Sequence, residues 1–160
     1  MKFFTAKEIR SRVVTLAAEI GRDPVHLIIV LQGAFIFAAD LARHLHEVTM
    51  EFVVASSYRE ATISSGEVAL LSATTPLTGD VLIVEDIVDT GRTVSAIKSS
   101  LYQRGVSHPR VVSLLDKPSR RVVPVTVDFV GFTVPDMFVY GYGMDSAGRF
   151  RHLPDIWSVE

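Results

Sequence analysis

The chain alternates between short uninterrupted aliphatic runs and longer stretches in which apolar side chains recur every three or four positions. Residues 6–20, AKEIRSRVVTLAAEI, place Ile9, Val13, Leu16 and Ile20 on one face, and Gly21 with Pro24 end the pattern. An amphipathic opening helix is predicted. HLIIVL (26–31) reads as a strand buried on both faces, QG as its turn, and AFIFAADLARHLHEV (34–48) as the following helix. Further strands are predicted at EFVVASSY (51–58), VALL (68–71), VLIVE (81–85) and RVVSLLD (110–116), with a helix over TVSAIKSSLYQRG (93–105) that Gly105 closes. Aliphatic strands joined by helices imply an α/β fold with an open, doubly wound, mainly parallel sheet and helices on both faces. One domain spanning 1–160 is expected, with no internal repeat. The longest polar interruption, SSYREATISSGE (56–67), is the best candidate for a mobile loop.

Composition narrows the class. The 160 residues are 48% hydrophobic, enough for a core, and 16 basic against 18 acidic residues leave a formal net charge of -2. No global field would draw such a chain to nucleic acid or to an anionic membrane, so a polyanionic ligand must be held locally. The absence of cysteine removes disulfides and thiolate metal sites. Lys7, Glu8, Arg10 and Arg12 interrupt any N-terminal signal core, and VHLIIVL is too short to span a bilayer. A cytoplasmic protein is expected. His26, His44, His46, His108 and His152 show no metal spacing; on the predicted helix His44 and His46 fall on different faces.

In open sheets of this kind ligands bind past the carboxyl ends of the strands, where strand order reverses. Four segments occupy that position: QGA (32–34), EDIVDTGRT (85–93), DKPSRR (116–121), and the tail from PDMFVYGYGMD to RFRHLPD. In the second, Thr90, Gly91 and Thr93 lie where a strand turns into a helix, so amides, hydroxyls and the positive helix end can converge on a phosphate. Neither GxxxxGK[ST] nor GxGxxG is present. Glu85 and Asp86, expected at the strand terminus, can bind sugar hydroxyls or, through water, a hard cation such as Mg²⁺. Taken alone, DTG reads as a polar capped turn, DK as a solvated lysine and Phe138 as a core aromatic.

Together these segments carry more. VLIVEDIVDTGRT resembles the phosphoribosyl-diphosphate motif of the type I phosphoribosyltransferases. LQGAFIFAADLAR, SSY, LLDKPSRR, DFVGFTVPDMFVYGYGMD and RFRHLPDIW resemble, in order and at similar spacing, the hypoxanthine/guanine members of that family. The resemblance implies transfer of ribose 5-phosphate from phosphoribosyl diphosphate to a 6-oxopurine, in a fold with a small C-terminal base-binding hood. It implies that Asp89, Thr90, Gly91, Arg92 and Thr93 wrap the 5-phosphate while Glu85 and Asp86 hold the ribose hydroxyls. Asp89 would also act as catalytic base. Gln32, Gly33 and Arg151 would hold pyrophosphate, in the family often through a non-proline cis peptide at the first loop. Lys117, Phe138, Val139 and Asp145 would surround the base, Asp145 also reaching a pyrophosphate-bound Mg²⁺, so that Glu85, Asp86 and Asp145 are the expected metal residues. Ser57 and Tyr58 would begin a lid, and a homodimer or homotetramer is the usual assembly.

The chain departs from the pattern at Gln32, where Lys or Arg is common, and at Arg59, Tyr140 and Ser146. Choice among hypoxanthine, guanine and xanthine therefore stays open. A non-catalytic, phosphoribosyl-diphosphate-sensing transcriptional regulator is the alternative on the same fold. It would be expected to carry a basic surface or an added DNA-binding segment.

Overall fold

A computed structural model of the chain describes residues 1–55, 68–70, 77 and 79–159. Its elements are β1 (Lys2–Phe4), α1 (Ala6–Ile20), β2 (Val25–Leu31), α2 (Phe35–Ala42), β3 (Val48–Ala55), β4 (Val68–Leu70), β5 (Asp80–Val88), α3 (Arg92–Gln103), β6 (Arg110–Asp116), β7 (Phe129–Thr133), β8 (Val139–Tyr140) and β9 (Ile156–Ser158), with a 3-10 turn at Pro118–Arg120. Strands β3, β2, β5, β6 and β7 pair in parallel, and β4 adds antiparallel to β3, giving the order β4-β3-β2-β5-β6-β7. Alternate residues of the central strands feed two cores. Leu27, Ile29, Leu82, Val84, Val112 and Leu114 pack with α1 and α2. Ile28, Val30, Ile83 and Val111 pack with Val94, Ile97 and Leu101 of α3 on the other face. The aliphatic runs are continuous because both faces are covered.

Several boundaries differ from those expected. The helix predicted over 34–48 stops at Ala42, where His44 and Leu45 turn back onto Leu41 and Ala42. Val48 is already paired with Val25, and the parallel ladder overrides the helical pattern. His44 and His46 are therefore exposed turn residues rather than helical ones. The strand predicted over 51–58 begins at Val48, and its last three positions lie outside the described residues, as do Ser57, Tyr58 and Arg59. Glu85 and Asp86 stand inside β5, which continues to Val88, rather than at its terminus.

A second sheet, order β1-β9-β8, is antiparallel and forms the hood. It is not purely C-terminal, since its edge is Lys2–Phe4. The Lys2 ammonium lies 2.7 Å from Asp155, whose other carboxylate oxygen accepts the Ala6 N–H at 2.7 Å. Phe4 stacks on Phe132 of β7, with ring centres 4.1 Å apart, joining hood to main sheet. Helix α1 starts on a capping box in which Thr5 and Glu8 satisfy each other's backbone N–H.

Candidate active site

The chain runs outward from β2 through β3 to β4, then returns to β5 on the other side of β2 and continues to β6 and β7. The reversal point is therefore the gap between β2 and β5. Pairing of these strands ends at Ile29 with Val84, so Val30 and Leu31 diverge from Glu85, Asp86 and Ile87. The split opens into a cavity of about 520 Å³ lined by those residues with Gln32, Gly33, Val54, Thr93, Asp145 and Arg151. A larger recess of about 730 Å³, between α1 and the turn after α2, has Arg22, His44 and His46 at its wall but no carboxylate or strand-end loop. The chemistry belongs to the first.

Glu85 is buried and directly precedes Asp86. Burial, with the Asp86 charge second, pushes its carboxyl well above the usual range. The Asp86 N–H donates to Glu85 Oε1 at 3.2 Å, and the Ile87 N–H to Asp86 Oδ1 at 2.9 Å. Two such carboxylates at a cavity wall form a donor set suited to sugar hydroxyls or a hard cation. Gly33 faces them so closely that a Cβ there would overlap the Asp86 carboxylate. The Leu31–Gln32 peptide is cis.

On the opposite wall, Arg151 lies 2.9 Å from Asp145 Oδ1 and donates to the Gly143 carbonyl at 2.7 Å, while Asp145 Oδ2 accepts the Gly148 N–H at 2.7 Å. Asp145 lines the same cavity as Gln32 and Gly33. Among the described residues no three carboxylates or imidazoles converge to cage a metal. Glu85, Asp86 and Asp145 line the same cavity. A cation held by Glu85 and Asp86 would need ligand oxygens from water and substrate.

The loop after β5 closes on the N-terminus of α3. Gly91 is left-handed at φ 84°, and a Cβ there would meet the Val123 carbonyl at 2.5 Å. No side chain of Gly91 can cap α3; Thr90 Oγ1 accepts from the Arg92 N–H at 3.4 Å, leaving the first-turn amides available to an anion. Asp89 has partners the sequence did not suggest. Arg120 Nε lies 3.2 Å from its carboxylate, and Arg121 donates to its main-chain oxygen at 2.8 Å while pairing with Asp116. Both arginines come from DKPSRR, the segment that also carries Lys117.

Lys117 is buried, and its ammonium donates to the Met137 carbonyl at 2.6 Å. It therefore stands directly beside Phe138 and Val139. Phe138 is 53% exposed, an aromatic residue on which a planar ligand can stack. The Val159 N–H donates to the Phe138 carbonyl at 3.1 Å, making 138 and 159 a hydrogen-bonded pair, so the main-chain groups of Val139 face away from β9.

Residues 4–147 match the phosphoribosyl transferase domain family. The chain is 45% identical over 157 residues to the hypoxanthine-guanine phosphoribosyltransferase of Bacillus subtilis, covering 94% of this chain and 87% of that protein. It is 44% identical to the hypoxanthine phosphoribosyltransferase of Escherichia coli K12, covering 95% and 90%. A crystal structure of a Bacillus anthracis hypoxanthine-guanine phosphoribosyltransferase, with HEPES in its active site, superposes with a TM-score of 0.90 at 39% identity, covering 100% and 98%. The chain belongs to the phosphoribosyl transferase domain family, in its hypoxanthine-guanine branch.

Proposed function

We propose that the chain transfers ribose 5-phosphate from phosphoribosyl diphosphate to hypoxanthine or guanine in purine salvage, releasing pyrophosphate and a nucleoside 5'-monophosphate. The observation that carries this reading is the cavity at the β2/β5 split, whose wall brings together the acidic pair, Thr93 of the following turn and Arg151. The Asp89–Thr93 loop and the α3 amides hold the 5-phosphate. Glu85 and Asp86 hold the ribose hydroxyls, and the Asp86 carboxylate favours a sugar on which positive charge builds. Gln32, Gly33 and Arg151 take the pyrophosphate.

Lys117, Phe138 and Val139 take the base: the ammonium donates to a 6-oxo group, and Val139 offers main-chain groups to the ring edge. A buried donor of this kind disfavours the 6-amino group of adenine, because mismatched polar groups cost much binding. As purine N9 bonds to C1 of the ribose, the C1–oxygen bond to pyrophosphate breaks and Asp89 accepts the proton leaving N7. For Asp89 to do so, its carboxylate exchanges the Arg120 contact for the base. The Glu85–Asp86 donor set fits Mg²⁺, which when bound neutralises phosphate oxygens.

Among the described residues no helix is long and apolar enough to cross a membrane. A cytoplasmic location belongs to this reading, as does a homodimer or homotetramer. Exposed Phe35, Met50 and Phe52 on α2 and β3 support self-association. The test is product analysis after mixing the protein, Mg²⁺ and phosphoribosyl diphosphate with each of five common nucleobases. Nucleotide is expected from hypoxanthine or guanine, and none with either base overturns the reading.

A further inference from the structure

The turn Gly141–Met144 carries the main chain from the hood to Asp145, and it is built unusually. Gly141, Tyr142 and Gly143 are three consecutive left-handed residues, with φ of 97°, 50° and 99°. Glycine adopts that conformation freely, but an aromatic residue persists there only where its surroundings enforce it. Tyr142 is buried, and its hydroxyl donates to Asp40 Oδ2 of α2 at 2.6 Å, while Arg43 holds the other oxygen of Asp40 at 3.0 Å. Burial and then Asp40 push the Tyr142 hydroxyl far above its ordinary pKa, so it stays a donor.

The next residue shows what this bond fixes. Gly143 lies against Gly33 so closely that a Cβ would run into the Gly33 carbonyl. Its own carbonyl accepts from Arg151 at 2.7 Å, and its N–H donates to the Arg151 carbonyl at 2.9 Å. The Tyr142 N–H donates to the Leu153 carbonyl at 2.8 Å. Helix α2 begins at Phe35, directly after the Gln32–Gly33 loop, so Asp40 and Gly33 belong to one short continuous segment.

We propose that the part-buried Tyr142–Asp40 hydrogen bond seats this turn on Gly33 and thereby sets the spacing between the Gln32–Gly33 loop and Arg151. Tyr142 is a positioning residue for the pyrophosphate half of the site. The inference rests on the proposed use of that wall and is read by binding, independently of turnover.

Wild type, Tyr142→Phe, Asp40→Ala and Asp40→Asn are titrated with inorganic pyrophosphate and with guanosine 5'-monophosphate in magnesium buffer, and melted. Tyr142→Phe and Asp40→Ala are expected to lose about tenfold in pyrophosphate affinity, one charge-assisted hydrogen bond's worth of alignment, with monophosphate affinity within about twofold. Asp40→Asn, which keeps an acceptor, is expected to restore most of the loss. Unchanged pyrophosphate affinity in Tyr142→Phe overturns the inference. So does an equal loss for both ligands that follows the melting temperature, which makes the contact merely structural. A wild type that binds pyrophosphate yet makes no nucleotide overturns the proposed reaction while this comparison still decides the role of Tyr142.

Discussion

Asp89 shows how far a single residue's role depends on its neighbours. Its carboxylate is shared with Arg120, which also lies 3.5 Å from Asp136, so one guanidinium joins the phosphate loop to the segment before Phe138. With side chains roughly half exposed, that ion pair contributes little stability and can open when substrate arrives. Asp89→Asn keeps the shape and removes the basicity. Turnover is expected to fall about 10²-fold or more, with phosphoribosyl diphosphate affinity largely kept. Steady-state kinetics with a binding titration check this, and unchanged turnover removes Asp89 as base. Of the residues that define this site, the motif spacing made Glu85, Asp86, Thr90 and Thr93 legible. Arg120, Arg121 and Tyr142 were not, because their partners lie 31, 32 and 102 positions away in the chain.

At the scale of elements, the site exists because β5 outlasts its pairing with β2. The extra residues of β5 carry the carboxylates past Val84, where the neighbouring strand has turned away into the Gln32–Gly33 loop. That loop must be glycine at its second position, since any side chain collides with Asp86. Gly33→Ala is expected to displace the loop or the carboxylate and lower kcat/KM by about 10²-fold. Circular dichroism and a thermal melt should show the fold retained. Wild-type kinetics in this variant would mean that Gly33 does not abut the reacting groups. The same scale explains the elements that hydrophobic pattern missed. Strands β1, β8 and β9 have two or three residues each, too few for a period to register, and β7 is only half buried.

Across the fold, both rims of the sheet carry carboxylates paired with arginine. Opposite the active rim, His26 near the start of β2 is buried beside Glu51 of β3, its Nε2 3.7 Å from that carboxylate, while Thr49 Oγ1 lies 2.6 Å from Nδ1. Arg104, at the end of α3, grips Glu51 with two hydrogen bonds of 2.7 and 3.1 Å. Burial lowers the His26 pKa below 6.5; Glu51 opposes the shift and Arg104 adds to it. The unfolded chain therefore binds the proton more readily than the folded one. This contribution is complete above pH 6.5 and is lost as pH falls through the lowered folded value. Denaturant midpoints are expected to drop between pH 7 and pH 5.5, more in wild type than in His26→Asn. Parallel pH profiles for the two proteins would rule His26 out as the source.

Local pattern encodes much of this protein: uninterrupted aliphatic strands mean a sheet covered on both faces, and VEDIVDTGRT means carboxylates beside a glycine turn that leads into a helix. The residues responsible are neighbours along the chain, so their spacing carries the information. Long-range packing sets where α2 yields to β3, which strands flank the split, and that the N-terminal β1 completes the hood. It also decided that Arg120 faces Asp89 and Tyr142 reaches Asp40. These follow from backbone pairing and side-chain contact between segments far apart in the chain, and no local period records such distances.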